Sequence, residues 1–577
     1  MNRVRFMTKP AKIKSQAVVL AALLFCTTSL SAQVELEDIR GSLRSRFGKG
    51  RENSEMAGLE EKKKHYLENR LDLEYSYKNI ESGLTMESRE PAEFTDNFTR
   101  LRKGYFQYSG ENYLLRAGTL YGLSGQGLTL NLLEDRILDL DNSIRGFQGV
   151  AQRDRLRFQF VAGSSNYTDY REPLVIDHHA LYAATLEYDA GGGLLLGANA
   201  LHDRLENRKD HKSTHHLNLD ADIRSWIWGP FLDLTGDKWE FFLEFSHKQT
   251  GHNRLPVPNN IYQVPIRLLN LDRDISGNGL YWNLAFSKQG YGFSLEYKNY
   301  QYNVQKEFKT TVSSSLDPAG ILPFQNPPTA IKEHLYYLLK RFPLVSEPNN
   351  QIGFELELNA SPSPFLDIQA VVSQASKADL LQPDPWGGNP GRVRGGFPLI
   401  PRLGTSYNPA YDTFLEIRWR RYDKLHLFGG AGFRSLTEYT IRGNYGDRKM
   451  LWTFPLQAEL RWSKSITTTL DIEAQHIREK TFPVIHLGNE YWNRYAAVSL
   501  SWAPLASITL SRESTGLKNS NDDGKSWMMV ALSLRLKEKG IINISYGKER
   551  EGMICSNGLC RYVPGFKGLR TDLSLFY

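Results

Sequence analysis

Apolar and polar side chains alternate one by one over long stretches of this chain. In residues 70–78, apolar side chains occupy every second position, with charged or polar ones between them: Leu71, Leu73, Tyr75 and Tyr77. The same pattern occurs in 217–224, 351–358, 456–462 and 466–473. Because successive side chains of a β-strand point to opposite faces, a period of two predicts strands with one apolar and one polar face.

The connections between these strands distinguish a membrane barrel from a soluble β-sandwich, which shows the same period. Short turns are predicted near 79–82, 110–112, 152–155, 189–193, 235–238, 289–292, 361–364, 422–424, 463–465, 503–505 and 537–540, with longer polar loops between them. Strict alternation of short turns and long loops, with strands of about ten residues whose apolar faces end in aromatic side chains, is typical of outer-membrane barrels. We therefore predict an all-β fold, a transmembrane antiparallel up-and-down β-barrel of about 24 strands, within a range of 22–26.

The first 32 residues have the composition of a secretory signal peptide. Five basic side chains lie before residue 15, the apolar run Ala17–Phe25 follows, and small polar residues lead to Ala32. A run of nine apolar residues is too short to cross the ~30 Å hydrocarbon core of a bilayer. We predict a cleaved signal peptide in 1–32, a barrel in 33–577 and export to the bacterial outer membrane.

Loss of this segment removes most of the net charge. The whole chain has 71 basic and 64 acidic side chains. Without the five basic residues of 1–32, the numbers become 66 and 64. A nearly neutral mature chain gives no support to a nucleic-acid partner.

The end of the sequence is a short amphipathic strand. In 568–577, one face carries Leu573, Leu575 and the terminal Tyr577. This ending resembles the C-terminal signal that bacterial outer-membrane barrels present to their assembly machinery, although Tyr replaces the commoner Phe. The resemblance implies that the barrel-assembly machinery and the outer-membrane lipid bilayer are partners of this chain.

The glycine-rich segment Gly118–Gly146 is longer than a turn and rich in charge. It resembles a glycine-then-Glu-Asp-Arg segment in a family of functionally uncharacterised outer-membrane barrels. Its charged side chains are candidates to line a constriction of the lumen: Glu134, Asp135, Arg136, Asp139, Asp141 and Arg145. The alternatives are a solvated loop, or an internal salt-bridge cluster that holds the loop against the wall. The glycines do not form a phosphate-binding loop, because no Lys-Ser/Thr pair follows them.

Six of the 13 histidines fall near the outer ends of three consecutive predicted strands and in the loop between two of them: His178, His179, His202, His211, His215 and His216. Since neighbouring strands lie about 4.8 Å apart, imidazoles at the barrel mouth can meet and bind a transition metal or haem. The alternative, which we favour, is a set of solvated loop histidines, and we expect no cofactor.

Cys555 and Cys560 flank an Asn-Gly pair in the segment Cys-Ser-Asn-Gly-Leu-Cys. Asn-Gly favours a tight turn, which would bring the two sulfur atoms together. Because exported proteins meet an oxidising compartment, we predict a disulfide; free thiols or half of a metal site are the alternatives.

The leading functional hypothesis is a porin-like channel for small solutes across the outer membrane. One alternative is a plugged barrel that serves as scaffold or subunit of a secretion or surface-assembly complex. Another is an uptake receptor for a metal or haem. We do not expect an enzyme, because no spacing of Ser, His and Asp singles out a catalytic triad.

Overall fold

A computed structural model of the protein describes residues 38–577 apart from 55–58, 95–96, 169–174, 211–216, 255–273, 303–320, 332, 344–348, 379, 383–390, 394–396, 422–423, 441–444, 483–487, 518–524 and 557–558. The predicted signal peptide lies outside these residues, and its cleavage stays a prediction. Among the described residues, no helix is long and apolar enough to cross a membrane.

In chain order the strands are β1 (Ile39–Ser54), β2 (Leu59–Tyr77), β3 (Ile80–Arg89), β4 (Phe98–Ser109), β5 (Tyr113–Leu120), β6 (Gly122–Ser124), β7 (Leu130–Leu132), β8 (Glu134–Asp135), β9 (Leu140–Asp141), β10 (Ile144–Arg153), β11 (Leu156–Thr168), β12 (Val175–Gly191), β13 (Leu194–Asp210), β14 (Leu217–Thr235), β15 (Trp239–Arg254), β16 (Asp274–Lys288), β17 (Tyr291–Gln301), β18 (Gln351–Ser363), β19 (Leu366–Lys377), β20 (Leu380–Gln382), β21 (Gly391–Val393), β22 (Ala410–Arg421), β23 (Leu425–Thr440), β24 (Tyr445–Arg461), β25 (Ile466–Phe482), β26 (Glu490–Trp502), β27 (Ala506–Thr515), β28 (Lys525–Arg535), β29 (Gly540–Glu549), β30 (Gly552–Ser556), β31 (Leu559–Val563) and β32 (Gly565–Phe576). A short α-helix spans Tyr337–Lys340, and a 3₁₀ turn spans Thr405–Tyr407.

Twenty-four of these strands form one closed antiparallel barrel. Each barrel strand pairs with its neighbours along the chain, and β32 pairs with β1 from Ser42↔Phe576 to Asn53↔Gly565, which closes the ring. The remaining strands form four two-stranded hairpins: β6–β7, β8–β9, β20–β21 and β30–β31. The predicted fold class and strand number are confirmed.

The two faces of the wall follow the alternation in the sequence. On β11, Phe158 and Phe160 are 44% and 36% exposed, whereas Gln159 between them is buried. On β25, Leu470 and Ile472 are exposed and Glu473 is buried. A band of exposed apolar side chains outside and buried polar ones inside is the arrangement that a bilayer requires of a closed barrel.

Exposed tryptophans mark the rims of this outer band. Trp239, Trp462 and Trp502 lie beside short connections, and Trp492 lies near the long-loop end of β26. Indole rings favour the membrane–water interface, so these positions are those expected of aromatic girdles. Both described ends of the chain lie at the short-turn end, where Tyr577 pairs with Gly41.

One part of the inner face differs from the expectation of a polar lumen. Buried apolar side chains on β5 and β10–β14 face inward: Leu120, Ile144, Val161, Leu181, Ala183, Leu201 and Ile227. They are covered by Leu130, Leu132, Leu322 and Phe324 from two loops that enter the barrel. The lumen therefore contains a hydrophobic core.

Candidate functional site in the barrel lumen

Two connections fold into the lumen. The first, called here the 121–143 loop, joins β5 to β10 and carries the hairpins β6–β7 and β8–β9. The second, called here the 321–343 loop, belongs to the connection from β17 to β18, contains the short helix and is described except for residue 332. With about 24 strands, a barrel is too wide for wall side chains to fill, so these loops supply much of the packing inside.

The 121–143 loop binds the wall at one end through its carboxylates. Glu134 lies 2.7 Å from Arg70 on β2 and 2.7 Å from Lys103 on β4. Burial raises the pKa of Glu134, but hydrogen bonds from Arg70 and Lys103 outweigh burial and lower it to about 2. The carboxylate is thus held in its charged form by the wall.

Two further carboxylates of this loop meet arginines of the same wall. Asp139 lies 2.7 Å from Arg89 at the end of β3, and Asp141 lies 3.3 Å from Arg102 on β4. Both arginine side chains are mostly buried, with 12% and 17% exposure. An ion pair shielded from water is screened less by salt than a surface pair, so these contacts contribute to holding the loop.

The other predicted pore-lining residues have different surroundings. Asp135 accepts hydrogen bonds from the backbone N–H groups of Ile137 and Leu138, which closes a local turn. Arg136 is 43% exposed and 3.7 Å from Asp72. Arg145 lies on the wall strand β10 rather than in the loop. The arrangement of Glu134, Asp139 and Asp141 is the internal salt-bridge cluster that the sequence offered as an alternative, and a pore-lining role of these six residues stays a proposal.

The opposite end of the 121–143 loop binds the far wall. The backbone N–H of Gln126 donates to the buried carboxylate of Glu244 on β15 at 2.6 Å. Gly125 has a φ of +57°, and a Cβ there would lie 2.5 Å from a Glu244 oxygen. The Oγ of Ser124 lies 2.9 Å from the Oγ1 of Thr185 on β12. Glycine at position 125 therefore permits the close approach of loop and wall.

The two loops bind each other at the centre of the lumen. The N–H of Asn131 donates to the carbonyl of Phe324 at 2.6 Å, and the Asn142 side chain donates to the carbonyl of Pro323 at 2.9 Å. The side chain of Gln325 donates to the carbonyl of Leu128. These three hydrogen bonds make the two loops one continuous body, which we call the plug.

The 321–343 loop carries the plug to the other side of the barrel, where wall carboxylates receive it. Glu473 on β25 accepts hydrogen bonds from the N–H groups of Tyr337 and Leu338, both at 2.7 Å. Glu513 on β27 accepts from Arg341 at 2.6 Å and from the Tyr337 hydroxyl at 3.0 Å. The wall is therefore basic where the loop is acidic, and acidic where the loop offers donors.

Two more carboxylates on β22 extend this contact. Asp412 lies 2.9 Å from His334 and is paired with Arg434 of β23, while Glu416 accepts from the Tyr336 hydroxyl at 2.8 Å. None of these four acids stands out in the sequence. They lie on the polar face of ordinary alternating strands. Only their burial in the structure distinguishes them, and burial cannot be read from the sequence.

The β30–β31 hairpin lies over the plug at the long-loop end. Arg561 donates to the carbonyl of Leu138 at 3.2 Å, and Arg341 donates to the carbonyl of Arg550 at 3.2 Å. Cys555 and Cys560 stand directly opposite each other in the hairpin. The predicted Asn-Gly turn lies outside the described residues, and the disulfide between the two cysteines stays a prediction.

A cavity of about 750 Å³ opens at the long-loop end beside the 121–143 loop. Its charged lining consists of Arg89, Arg100, Arg102, Arg145, Arg561, Asp139, Asp141 and His178. Phe94 and Phe98 supply apolar surface. A second cavity of about 250 Å³ lies against the wall and includes Arg46, Tyr66, Arg570 and Asp572. The two cavities share no lining residue.

The described histidines do not converge. His179 is buried on the inner face beside Asp203, with its Nδ1 3.0 Å from the carboxylate, whereas neighbouring His178 is 39% exposed and contacts Asn166. His202 stacks between Tyr182 and Trp226 on the outer face. Among the described residues, no group of three potential ligands is placed to hold a metal ion. His211, His215 and His216 lie outside the described residues.

The predicted assembly-signal residues end the barrel seam. Leu573 and Leu575 pair with Ser45 and Leu43 of β1, and the Tyr577 ring lies over Gly41, where a Cβ would come within 2.2 Å of it. The three side chains share the lipid face, as the alternation predicts. Their role in assembly stays a prediction.

The chain matches the model of a family of unknown function (DUF6029) over residues 13–362 and 436–577. No curated protein matches it. Solved structures similar in fold include the copper transporter OprC (10% identity, TM-score 0.43, 93% of this chain and 80% of that chain). They also include the FrpB iron transporter from Neisseria meningitidis, F5-1 variant in the apoprotein form (10%, 0.43, 94% and 81%). A third is the siderophore receptor PirA from Pseudomonas aeruginosa (9%, 0.42, 93% and 80%).

Proposed function

The chain belongs to the family of unknown function DUF6029, and we propose that it is an outer-membrane transport barrel closed at rest by its own plug. One observation carries the proposal: the plug spans the lumen and is bonded to walls on both sides. It reaches Lys103 on β4 through Glu134 and, twelve strands away around the ring of 24, Asp412 on β22 through His334. Solute passage then requires that part of the plug leave its wall.

This proposal favours a gated barrel over an always-open, porin-like channel. A single loop that only narrows a pore needs contacts on its own side, whereas the plug joins two loops and bridges opposite walls. A scaffold with a permanently blocked lumen needs no such charges, since apolar packing alone would fill it. The plug instead keeps one end ionic, and ionic contacts can be exchanged for solvent or solute at small net cost. The metal or haem alternative receives no support from the described histidines.

A reversible tether tests the gate. Ser124 on the loop and Thr185 on the wall have oxygen atoms 2.9 Å apart, so Ser124→Cys with Thr185→Cys places two sulfurs within reach of a disulfide. In a background without Cys555 and Cys560, the oxidised variant should stay closed in planar bilayers and show no openings. Reductant should restore the openings seen in the parent protein.

A matched control uses two wall residues. Ser499 and Thr509 have hydroxyl oxygens 2.8 Å apart on β26 and β27, so their cysteine pair joins wall to wall and leaves the plug free. It should conduct like the parent in both redox states.

Removal of the 121–143 loop, one of the two parts of the plug, should give the opposite result. Leu120 and Ile144 stand directly opposite each other, so an Asn-Gly turn can replace 121–143 without distorting the barrel. This variant should show large, persistent conductance. The proposal is contradicted if the oxidised cysteine tether and the 121–143 deletion both leave the conductance equal to that of the parent.

A further inference from the structure

The cavity at the long-loop end has more positive than negative charge. Five arginines line it, together with only two carboxylates, Asp139 and Asp141. Arg89 and Arg102 are paired with those two and with Glu87 on β3. Within the part of the chain that the structure describes, Arg100, Arg145 and Arg561 make no ion pair.

These three arginines are held in place by weaker contacts. Arg145 donates to the carbonyl of Arg102 at 3.3 Å. Arg100 lies 4.5 Å over the Phe98 ring, and Arg561 lies 4.1 Å over the Phe94 ring. Burial lowers the pKa of Arg561, although nearby Asp139 and Glu93 oppose this change, and Arg89 adds to the lowering. Arg100 and Arg145 are exposed and Arg561 is half-buried, so a solute can reach all three guanidinium groups, and an anion that joins them relieves the repulsion between like charges.

We propose that this cavity binds a small soluble solute with several phosphate or carboxylate groups, and that such a solute is the cargo of the gate. Planar guanidinium groups match these oxyanions in geometry and charge. A volume of about 750 Å³ is that of a small-molecule site, and Phe94 and Phe98 offer apolar contact for the rest of the solute. The cargo role rests on the proposed function, whereas binding itself does not.

The position of the cavity links binding to opening. Its floor includes Asp139 and Asp141, which occupy Arg89 and Arg102 when the plug is closed. An anion that enters competes with these carboxylates for the same guanidinium groups. Binding should therefore loosen the charged end of the plug, and by linkage a loosened plug should bind the anion more tightly.

Calorimetric titration of the whole folded barrel in detergent, with tripolyphosphate and with citrate, tests the binding step. At least one of the two should bind, more weakly at high salt, whereas maltotriose and spermidine should not. Arg100→Gln and Arg561→Gln should each lower the affinity about tenfold, as loss of one charge-assisted contact would. Arg155→Gln is the matched control and should leave the affinity unchanged, because Arg155 lies at a short turn, where its side chain donates to the carbonyl of Ala190.

A variant that raises the affinity for the anion distinguishes an effect on recognition from an effect on folding. Asp141→Asn removes a competing carboxylate and should raise the affinity about three- to tenfold, a gain that misfolding would not produce. Heat-modifiable migration on gels verifies that each variant is folded. Lack of binding by both anions, or equal affinities in all four variants, would overturn the inference. If binding behaves as expected but tethering Ser124 to Thr185 does not alter conductance, the proposed gate fails and the binding site stands.

Discussion

Glu473, on the lumen face of β25, holds the far end of the plug through two backbone hydrogen bonds. Its oxygens accept from Tyr337 and Leu338 at 2.7 Å each, and the side chain is buried. A hydrogen bond to a charged group contributes roughly 1.5–3 kcal/mol. Glu473→Gln keeps one acceptor oxygen and replaces the other by an NH₂ group that faces a donor. We therefore expect the bound state of this loop to lose about 1.5–3 kcal/mol, or a 10- to 100-fold rise in the undocked population.

Labelling of a buried cysteine measures that population. Leu339, 3% exposed in the short helix, becomes accessible only when the loop undocks. In a Leu339→Cys variant without the other cysteines, Glu473→Gln should speed reaction with a maleimide by the same 10- to 100-fold. Asp471→Asn is the control, because Asp471 lies on the same strand and bonds Gln457 rather than the loop. Equal labelling rates for Glu473→Gln and Asp471→Asn would refute the idea that Glu473 anchors the plug.

Three other predictions concern the near end of the plug, the seam and the hairpin. The folded pKa of Glu134 is lowered to about 2 from an ordinary 4.5, so its contribution is present above pH 4.5 and lost only as the pH falls towards 2. Because Glu134 stays charged at both values, it should not make the open probability in bilayers differ between pH 7 and pH 5. Glu134→Gln should raise the open probability at both pH values. The prediction is contradicted if the parent protein opens at pH 5 and Glu134→Gln does not raise the open probability further. Deleting Tyr577 should lower the amount of heat-modifiable barrel in outer-membrane fractions more than a deletion of one residue in an outer loop, and normal levels would show that the ending is not used for assembly. Replacing Cys555 and Cys560 should leave assembly and heat stability nearly unchanged, and thiol labelling of the parent should require reductant; labelling without it would exclude the disulfide.

The barrel was predictable because each of its determinants is local. Alternation fixes which face of a strand is apolar, and short turns such as 110–112 and 503–505 set the direction of each hairpin. The strand count follows from these two signals and needs no knowledge of distant contacts. Closure follows as well, since an open edge in lipid would leave backbone groups without partners.

The plug was not predictable in the same way, because its contacts join residues far apart in the chain. Glu473 receives a loop 135 residues earlier, and Arg561 reaches Leu138 across 423 residues. In the sequence, Leu181 and Leu201 are apolar residues of ordinary strands, and nothing indicates that they face inward. Only the paired glycines and acids of 118–146 marked this segment as unusual, and they left a solvated loop, a constriction and a salt-bridge cluster as alternatives.

The histidines show the limit of reasoning from strand spacing. His178 and His179 are adjacent in sequence and therefore lie on opposite faces of β12, so both cannot bind one ion without a break in the strand. His202 shares the outer face with Trp226, where the two rings stack 4.1 Å apart. The same alternation that predicts the strands therefore places these histidines on different faces of the wall, which becomes evident once the register of each strand is known.

The plug is held by different forces on its two sides, and this difference predicts where it opens. Leu130, Leu132, Leu322 and Phe324 pack into a core with β5 and β10–β14, and each such side chain contributes roughly 1.5–3 kcal/mol that neither salt nor an anion removes. On β2–β4 the loop is held by the ion pairs of Glu134, Asp139 and Asp141. Carboxylates can be replaced one for one by a solute anion, whereas the core has no such competitor. We therefore expect the charged end of the 121–143 loop to leave the wall first, beside the cavity where the anion enters. Ser124 pairs with the core residue Leu130 and contacts Thr185 on β12, so full opening follows only when this second contact also parts, and that is the step that the Ser124–Thr185 tether blocks.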